Sequence, residues 1–313
     1  MISRKATTAG PRTAQNSFAK RFGRQKYIFA MLIIGLAWYI IFKYSPLWFV
    51  SNAFTNFGTV ANPRFVGFDN FRRLFGSPLF TRAFFNTLIL SALNLIFYFP
   101  IPIIIALSLN ELSNKFFQRS AQFIVYAPYF LSWVVVGGLF NLMLSPSDGI
   151  VNQALVAVGV IDEPIFFMAS SDWFRAVLIG TEIWKNAGYG AVIYIAAIAS
   201  VDRELYHAAA VDGAGRWAQM FHVTLPGIRG TIATVLFLTV ARILQMFEQI
   251  LVMSNAAVMN VADVLRTFSF NEGLMRGNIG YATSIDLFTS VVSVILIIGC
   301  NQFSKRVLKE EII

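Results

Sequence analysis

Four polar or charged residues interrupt an apolar stretch near the middle of this sequence: Glu182, Lys185, Asn186 and Tyr189. A spacing of i, i+3, i+4 and i+7 places them on one face of a helix. Ionisable groups inside a long apolar stretch usually face the interior of a helical bundle or a wet cavity, because burying them in lipid is costly. The four side chains combine charge, hydrogen-bonding groups and an aromatic ring, which is the chemistry that binds a polar solute.

A second polar group lies in the next apolar stretch, at i, i+3 and i+7: Arg242, Gln245 and Gln249. A continuous helix places these three side chains on one face and turns Glu248 away from it. Two interpretations stay open for both groups. Either they line a path for a polar solute, or Glu182 and Lys185 simply neutralise each other while Arg242 pairs with an acid on a partner subunit.

The composition of the chain identifies the elements that must position these groups. Of its 313 residues, 57% are hydrophobic and 13% are charged, whereas a soluble domain carries roughly 25% charged residues. The chain is therefore predicted to be an all-α integral membrane protein. Six stretches are long and apolar enough to cross a bilayer. They lie near residues 28–50, 83–109, 121–144, 174–199, 231–253 and 282–303.

The distribution of Lys and Arg predicts the orientation of these spans. Fifteen basic residues lie on the side that holds both termini and residues 203–230, and six lie between spans on the other side. The excess marks the cytoplasmic side. Residues 1–26 then form a cytoplasmic polybasic arm near anionic lipid head groups, a role that we prefer to nucleic-acid binding. The apolar run that follows them is too long for a cleavable signal.

The sequence offers no set of residues for catalysis. It contains no Ser/His/Asp arrangement, no GxxxxGK[ST] phosphate-binding loop and no pair of carboxylates in a cleft. Its one cysteine, Cys300, lies in an apolar stretch, and no Cys/His cluster indicates a metal site. We therefore expect that the chain is not an enzyme and that it binds no cofactor or metal of its own.

A mostly polar segment separates the fourth and fifth predicted spans, and residues 207–226 of it read HAAAVDGAGRWAQMFHVTLP. Small side chains, such as that of Ala208, let another protein approach the backbone closely. Trp217 and Phe221 lie four residues apart and supply apolar anchors on one helical face. We interpret residues 203–230 as a docking element at a membrane face, although an ordinary loop with a short amphipathic helix also fits the pattern.

The same segment resembles the EAA loop of membrane subunits in binding-protein-dependent ABC importers. The pattern of that family is Glu-Ala-Ala, three residues, Gly, nine residues and Ile-x-Leu-Pro. Here it reads His207-Ala208-Ala209, then Gly213, then Val223-Thr224-Leu225-Pro226, with both gaps intact. His207 replaces the usual Glu, an acid that in relatives helps to hold the loop in the ATPase groove, and Val223 replaces the usual Ile.

The resemblance covers nearly the whole chain from about residue 27. The other segments that resemble this family are VGFDNFRRLF (66–75) before Asn86-Thr87, SWVVVGGLFNLMLSP (132–146), the stretch 183–217 and FEQ (247–249). These segments are similar to the branch that imports complex oligosaccharides, including aldouronates and alginate fragments. The implied fold is an importer-type ABC transmembrane domain over residues 27–313, with six transmembrane helices and a cytoplasmic coupling helix between the fourth and fifth.

The resemblance implies a mechanism and a set of partners. Two ATP-binding cassette subunits hold ATP and Mg²⁺ and each receives one coupling loop, a second similar permease subunit completes the pore, and an extracytoplasmic solute-binding protein delivers the sugar. The residues implied to contact the ATPase are His207, Ala208, Ala209, Asp212, Gly213, Arg216, Trp217, Phe221, Leu225 and Pro226. The implied location is the bacterial inner membrane, in contact with lipid, with both termini in the cytoplasm.

The resemblance also implies roles for the two polar groups, since helices in these positions line the sugar site of relatives. Tyr189 would stack on a sugar ring, and Lys185 and Arg242 would attract a uronate carboxylate. The side chains implied to exchange hydrogen bonds with sugar hydroxyls are Asn186, Gln245 and Gln249.

Three alternatives stay open. The substrate is a neutral oligosaccharide in the first of them. The second is a self-contained secondary transporter, which predicts inverted repeats, and none is visible between residues 28–144 and 174–303. The third is a polytopic membrane enzyme, which needs acids, histidines or metal ligands clustered at one membrane depth, and the sequence contains no such cluster.

Overall fold

A computed structural model describes residues 26–58 and 63–307 of the chain. Helices dominate this part, and the β pairing found in it is a single antiparallel bridge between Thr55 and Phe65. The predicted all-α class is therefore confirmed. The predicted polybasic arm, residues 1–26, lies outside the described residues apart from Lys26.

The regular structure is a succession of helices of very different lengths. The first are α1 (Lys26–Tyr39), α2 (Asp69–Phe75), α3 (Pro78–Leu93), α4 (Pro100–Asn110), α5 (Lys115–Tyr126), α6 (Trp133–Met143), α7 (Ile150–Ala157) and α8 (Ser171–Ala199). The others are α9 (Arg203–Val211), α10 (Arg216–Gln219), α11 (Leu225–Gly227), α12 (Arg229–Arg242), α13 (Glu248–Met253), α14 (Met259–Ala262), α15 (Leu265–Phe270) and α16 (Ile279–Val307). Turns of π-helix occur at Ile40–Tyr44, Asn94–Tyr98, Met220–Thr224 and Asn271–Met275, and 3₁₀ segments occur at Ser45–Phe54, Ala127–Phe130, Ile243–Gln245 and Ala256–Val258.

The described residues divide into two compact units after Ser51. The first unit contains α1, the π-helical turn after it and most of the following 3₁₀ segment, and its apolar side chains are largely exposed, among them Met31, Ile34 and Trp48. The second unit begins at Asn52. All of the sites described below lie within the second unit.

Length and composition identify the helices that can cross a membrane. Three qualify by themselves: Met31–Phe54, Pro78–Asn110 and Ile279–Arg306. Two bent helix pairs qualify if each pair is one span, which gives at most five spans among the described residues. The 29-residue α8 covers the fourth predicted span, 174–199, but the polar residues on it lower its hydropathy and it is not among these candidates. The count of six spans therefore stays a prediction.

The predicted third span, 121–144, is not one straight helix. Helix α5 with its 3₁₀ extension and helix α6 meet at an angle of 102°. Pro128 lies in the 3₁₀ extension, and a proline disfavours continuation of a helix because it lacks a backbone N–H. Ser132 then caps α6, since its Oγ accepts a hydrogen bond from the amide of Val135.

The predicted fifth span, 231–253, is broken as well. Helix α12 ends at Arg242, a 3₁₀ turn follows, and α13 begins at Glu248. The prediction that Arg242, Gln245 and Gln249 share one helical face is therefore wrong, because it assumed a continuous helix. Neither Pro nor Gly occurs between residues 243 and 248, so no helix-breaking residue marks this position in the sequence.

Side chains from the second predicted span stabilise the break in the fifth. Ser91 Oγ donates a hydrogen bond to the carbonyl of Ile243 at 3.2 Å, and Asn94 Nδ2 donates to the sulfur of Met246 at 3.5 Å. Inside a membrane, a broken helix is tolerated when neighbouring groups satisfy the backbone atoms that the break releases. The break is thus a property of the packed bundle and not of the local sequence.

Helix α8 forms the centre of the second unit, where it packs against α4, α5 and α14. The buried side chains of Ala106, Ala191 and Tyr194 join α4 to α8. Gly188 permits a close approach of α5, because a Cβ at this position would overlap the carbonyl oxygen of Val125. This packing fixes the position of the polar residues on α8.

Asn86 ties α3 to α8 and to the segment that precedes α15. Its side chain is only 3% exposed. The Nδ2 atom donates hydrogen bonds to the carbonyls of Asn260 and Asp263, both at 3.0 Å. The Oδ1 atom accepts a hydrogen bond from Arg175 Nη2 at 2.8 Å. One amide thereby satisfies three groups on three elements.

The same segment makes one further contact with α3 and one internal contact. Thr87 Oγ1 accepts a hydrogen bond from the amide of Leu265 at 2.9 Å. Burial raises the pKa of the Asp263 carboxyl, and a hydrogen bond from Thr267 at 2.7 Å opposes that shift. The segment between the fifth and sixth predicted spans is therefore anchored to the bundle through buried polar contacts.

We predict that Asn86→Leu lowers the unfolding free energy by about 2 kcal/mol or more, because two carbonyls and a guanidinium lose their partner. The measurement is the thermal unfolding of the purified chain in detergent. Asn110→Leu is the matched control, since Asn110 is exposed at the end of α4, and it should leave the midpoint unchanged. Equal midpoints for both variants would contradict the anchoring role.

Candidate functional site

The two polar groups meet at a cavity of about 590 Å³, which we call the central cavity. Five of the seven predicted path residues line it: Glu182, Asn186, Arg242, Gln245 and Gln249. The other polar or aromatic residues in its wall are Asn94, Tyr98, Trp133, Thr239, Phe247 and Glu248. The stretch between α12 and α13 forms part of this wall, so the central cavity lies at the helix break.

The polar side chains of the central cavity differ in whether they already form hydrogen bonds or ion pairs within the protein. Asn186 Nδ2 donates a hydrogen bond to Glu182 Oε1 at 2.8 Å, one helical turn away. Arg242 and Gln245 are exposed to the cavity. Among the described residues, no acidic side chain lies within ion-pair distance of Arg242. The Arg242 guanidinium therefore has its donors available for a solute.

Gln249 has mainly a structural role in this arrangement. Its side chain is buried, and Nε2 donates hydrogen bonds to the carbonyl of Leu178 at 2.6 Å and to Thr181 Oγ1 at 2.8 Å. The amide nitrogen therefore joins α13 to α8. Only the carbonyl oxygen of this side chain remains to accept a hydrogen bond from a solute.

Lys185 does not line the central cavity. Its side chain is 7% exposed, and Nζ donates a hydrogen bond to the carbonyl of Tyr129 at 2.9 Å. The same ammonium lies 5.2 Å from the ring centroid of Tyr129 and 5.4 Å from that of Trp133, within the range of cation–π attraction. Lys185 thus stabilises the bend between α5 and α6 and makes no direct ion pair with Glu182 among the described residues.

Tyr189 also lies outside the central cavity. Its ring stacks on the ring of Tyr129, with centroids 3.9 Å apart and an interplanar angle of 9°. One face of the ring is therefore covered by protein. Helical spacing placed Lys185 and Tyr189 on the polar face of α8, but that face is divided between the cavity and the bend at residues 127–132.

A smaller cavity of about 310 Å³, the inner cavity, adjoins the central one on the side of the docking element. Tyr98, Thr239 and Arg242 line both cavities, so Arg242 lies where they meet. Tyr194 is part of the inner wall, and within the described chain its buried hydroxyl has no hydrogen-bond partner. Sequence reasoning missed Tyr98 and Thr239 because single polar residues in an apolar span usually belong to the packed core.

The predicted docking element, 203–230, begins with helix α9. Asp202 caps this helix by accepting a hydrogen bond from the amide of Glu204 at 3.0 Å. The helix ends in a tight turn in which the amide of Ala214 donates to the carbonyl of Ala209 at 2.8 Å. Gly213 has a φ of +79° in this turn, a left-handed conformation that favours glycine at the end of a helix.

The second half of the docking element folds back on α9. The hydroxyls of Tyr206 and Thr224 share a hydrogen bond of 2.9 Å, and Gln219 Nε2 donates to the carbonyl of Ala214 at 3.0 Å. The rings of Trp217 and Phe221 stack with centroids 6.4 Å apart, and these side chains are 72% and 55% exposed. The predicted contact residues His207, Ala208, Asp212, Gly213, Arg216 and Pro226 are exposed as well, whereas Ala209 and Leu225 are half-buried.

Within the described part of the chain, no group of three or more His, Cys, Asp or Glu side chains is placed to hold a metal ion. The polar residues therefore form two separate features. One is the series of cavities inside the helical bundle, and the other is the exposed element at residues 203–230.

Apolar helices, a cavity with polar groups at a helix break and an exposed docking element are the features expected of a membrane permease. Residues 98–309 match the family described as binding-protein-dependent transport system inner membrane component, and the chain belongs to this family. The predicted membership of the ABC sugar-importer permeases is thereby confirmed.

Similar proteins specify the branch of the family. The chain is 39% identical over 287 residues to protein LplB of Bacillus subtilis (strain 168), covering 90% of each. It is 38% identical to the polygalacturonan/rhamnogalacturonan transport system permease protein YteP of the same strain, covering 90% of this chain and 89% of YteP. A crystal structure of a bacterial alginate ABC transporter, in complex with an alginate pentasaccharide-bound periplasmic protein, contains a chain with 38% identity and a TM-score of 0.87, covering 94% and 99% of the two chains.

We predict that Lys185→Met lowers the unfolding free energy by about 1–3 kcal/mol, because the carbonyl of Tyr129 loses its donor. Thermal unfolding in detergent measures this change. Arg242→Met is the matched control, since it removes an exposed cation without an ion pair and should not shift the midpoint. A larger shift for Arg242→Met than for Lys185→Met would contradict the roles assigned to the two cations.

Proposed function

We propose that this chain is the permease subunit of an ATP-driven importer for uronate-containing oligosaccharides. The observation that carries the proposal is Arg242, a guanidinium without an ion pair among the described residues, at the junction of two cavities. An arginine binds a carboxylate through two parallel hydrogen bonds. The names of the similar proteins, which refer to polygalacturonan and alginate, support an acidic substrate.

The rest of the central cavity supports a sugar as the solute. Asn186 and Gln245 supply amide groups that donate and accept hydrogen bonds, which suits hydroxyls. The rings of Tyr98 and Trp133 supply apolar surface beside these groups, and ligand sites combine such surface with a few placed polar groups. A volume of about 590 Å³ falls within the range of roughly 300–1,000 Å³ for small-molecule sites.

A neutral oligosaccharide is the second candidate substrate, and one observation favours it. Glu182 and Glu248 both line the central cavity, so this chain contributes two carboxylates and one guanidinium to the wall. Two carboxylates repel an anionic sugar unless Arg242 outweighs them by direct contact. The competition between these charges makes Arg242 the residue that separates the two candidates.

We predict that Arg242→Gln raises KM for a uronate oligosaccharide about 10- to 100-fold, which corresponds to the roughly 1.5–3 kcal/mol of a hydrogen bond to a charged group. KM for a neutral oligosaccharide of the same length should change less than about twofold. Uptake by proteoliposomes that contain the complete importer measures both values. Equal losses for the two sugars would show that Arg242 does not recognise a carboxylate.

The proposal includes the assembly and the orientation that the sequence predicts. The chain crosses the bacterial inner membrane six times, with both termini in the cytoplasm, and pairs with a second, similar permease subunit. Two ATPase subunits bind ATP and Mg²⁺, and an extracytoplasmic solute-binding protein supplies the sugar. Family membership supports this assembly over a self-contained secondary transporter.

We further propose that residues 203–230 couple ATP hydrolysis to transport by docking on an ATPase subunit. The exposed Trp217 and Phe221 supply apolar anchors, and the small residues Ala208, in α9, and Gly213, in the turn after it, leave the backbone accessible to a partner. The hydrogen bond between Tyr206 and Thr224 links α9 to the π-helical turn that leads to α12, and it gives a displacement of α9 a path to α12. His207 contacts the ATPase through a neutral hydrogen bond or, when protonated, through an acid on it.

We predict that Gly213→Ala weakens coupling, because a non-glycine residue at a φ of +79° costs roughly 1–2 kcal/mol. No atom lies within 4 Å of the added Cβ, so backbone strain in the turn is the only direct effect. Gly215→Ala is the matched control, since Gly215 has a φ of −70° and equally open surroundings.

The measurement is sugar-stimulated ATP hydrolysis by the reconstituted importer. Stimulation should fall in Gly213→Ala and stay at the wild-type level in Gly215→Ala. The coupling role would be wrong if both variants retained full stimulation, or if both lost it to the same degree.

A further inference from the structure

A third cavity, of about 320 Å³, lies beyond the end of α12 that is remote from the docking element. We call it the outer cavity. Its polar and aromatic wall consists of Phe247, Arg266, Ser269, Phe270, Thr283 and Asp286. Phe247 also lines the central cavity. The central cavity therefore adjoins both of the others, sharing Phe247 with the outer cavity and three residues with the inner one.

The outer cavity contains an ion pair in an unusual position. Arg266 Nη1 lies 3.3 Å from Asp286 Oδ1, and the two side chains are 45% and 43% exposed. Asp286 belongs to the apolar helix α16, which is a candidate span. A charged pair at such a position is too costly to face lipid, so it faces either a wet path or another protein.

We propose that the outer cavity is a second subsite for the transported oligosaccharide, which receives one part of the sugar while another part occupies the central cavity. This inference rests on the proposed function, since it assumes an oligosaccharide substrate. The Arg266 and Asp286 side chains together offer donors and acceptors in one place, which matches adjacent sugar hydroxyls.

Two further features of the wall suit a sugar. The rings of Phe247 and Phe270 lie 5.2 Å apart, centroid to centroid, and provide apolar surface for the C–H face of a sugar ring. The hydroxyls of Ser269 and Thr283 donate to the carbonyls of Ala282 and Ile279. Their oxygens therefore remain as acceptors for hydroxyl donors of a sugar.

The charges of the two subsites predict different kinds of selectivity. Arg266 is neutralised by Asp286, so the outer cavity binds hydroxyl groups whether the sugar is acidic or neutral. Arg242 has no such partner among the described residues, so the central cavity responds to a carboxylate. The outer subsite therefore selects for chain length and the central subsite selects for charge.

The test compares oligosaccharides of two lengths in the complete importer reconstituted in proteoliposomes. In Arg266→Gln and in Asp286→Asn, we expect KM for a tetrasaccharide to rise about tenfold, since hydrogen bonds to a charged group are lost. KM for the disaccharide of the same series should change less than about twofold. Arg72→Gln is the matched control, because it breaks the highly exposed Arg72–Asp69 ion pair, which lines none of the three cavities, and it should change neither value.

Three results would overturn the second subsite. The first is an equal change of KM for both lengths, and the second is no change for either. The third is loss of the second permease subunit from the purified complex, which would make Arg266 and Asp286 interface residues. If the wild-type complex transported no oligosaccharide, the proposed function itself would be refuted. If the wild-type complex is active but the variants change KM equally for both lengths, only the second subsite is refuted.

Discussion

Backbone carbonyls that are released where a helix breaks must find hydrogen-bond donors, because the core of a bilayer contains no water to satisfy them. Two breaks in this chain depend on that constraint. Lys185 donates to the carbonyl of Tyr129 at the bend between α5 and α6, and Ser91 donates to the carbonyl of Ile243 after α12. These donors stabilise the bend between α5 and α6 and the break after α12. The central cavity lies between the bend and the break.

Polar residues in the apolar helices therefore serve two different purposes. Lys185 and Gln249 are buried and hold neighbouring elements together through their nitrogen atoms. Arg242 and Gln245 are exposed to the cavity and remain available to a solute. Similar residue types at similar spacing thus separate into scaffold and site according to what their hydrogen-bonding groups contact. A buried polar group is costly unless it is hydrogen-bonded, which explains why the nitrogens of Lys185 and Gln249 donate to protein groups.

Much of the architecture could be predicted from the sequence, since its causes are local or compositional. The apolar composition indicated helices in a membrane, and the EAA-like pattern contained the glycine, Gly213, that the structure places at positive φ. The break after Arg242 had no such signal, because it contains neither Pro nor Gly and depends on Ser91 and Asn94 of another span. For the same reason helical spacing selected Lys185 and Tyr189, whose contacts with Tyr129 are set by tertiary packing.

The central claim is that an oligosaccharide lies between the two polar groups and contacts Arg242. The most direct measurement is an experimental structure of the assembled importer with a bound uronate oligosaccharide. The account predicts a carboxylate within about 2.7–3.2 Å of the Arg242 guanidinium, with sugar hydroxyls at Asn186 and Gln245. A sugar bound elsewhere, with Arg242 paired to an acid of the second permease subunit, would contradict it.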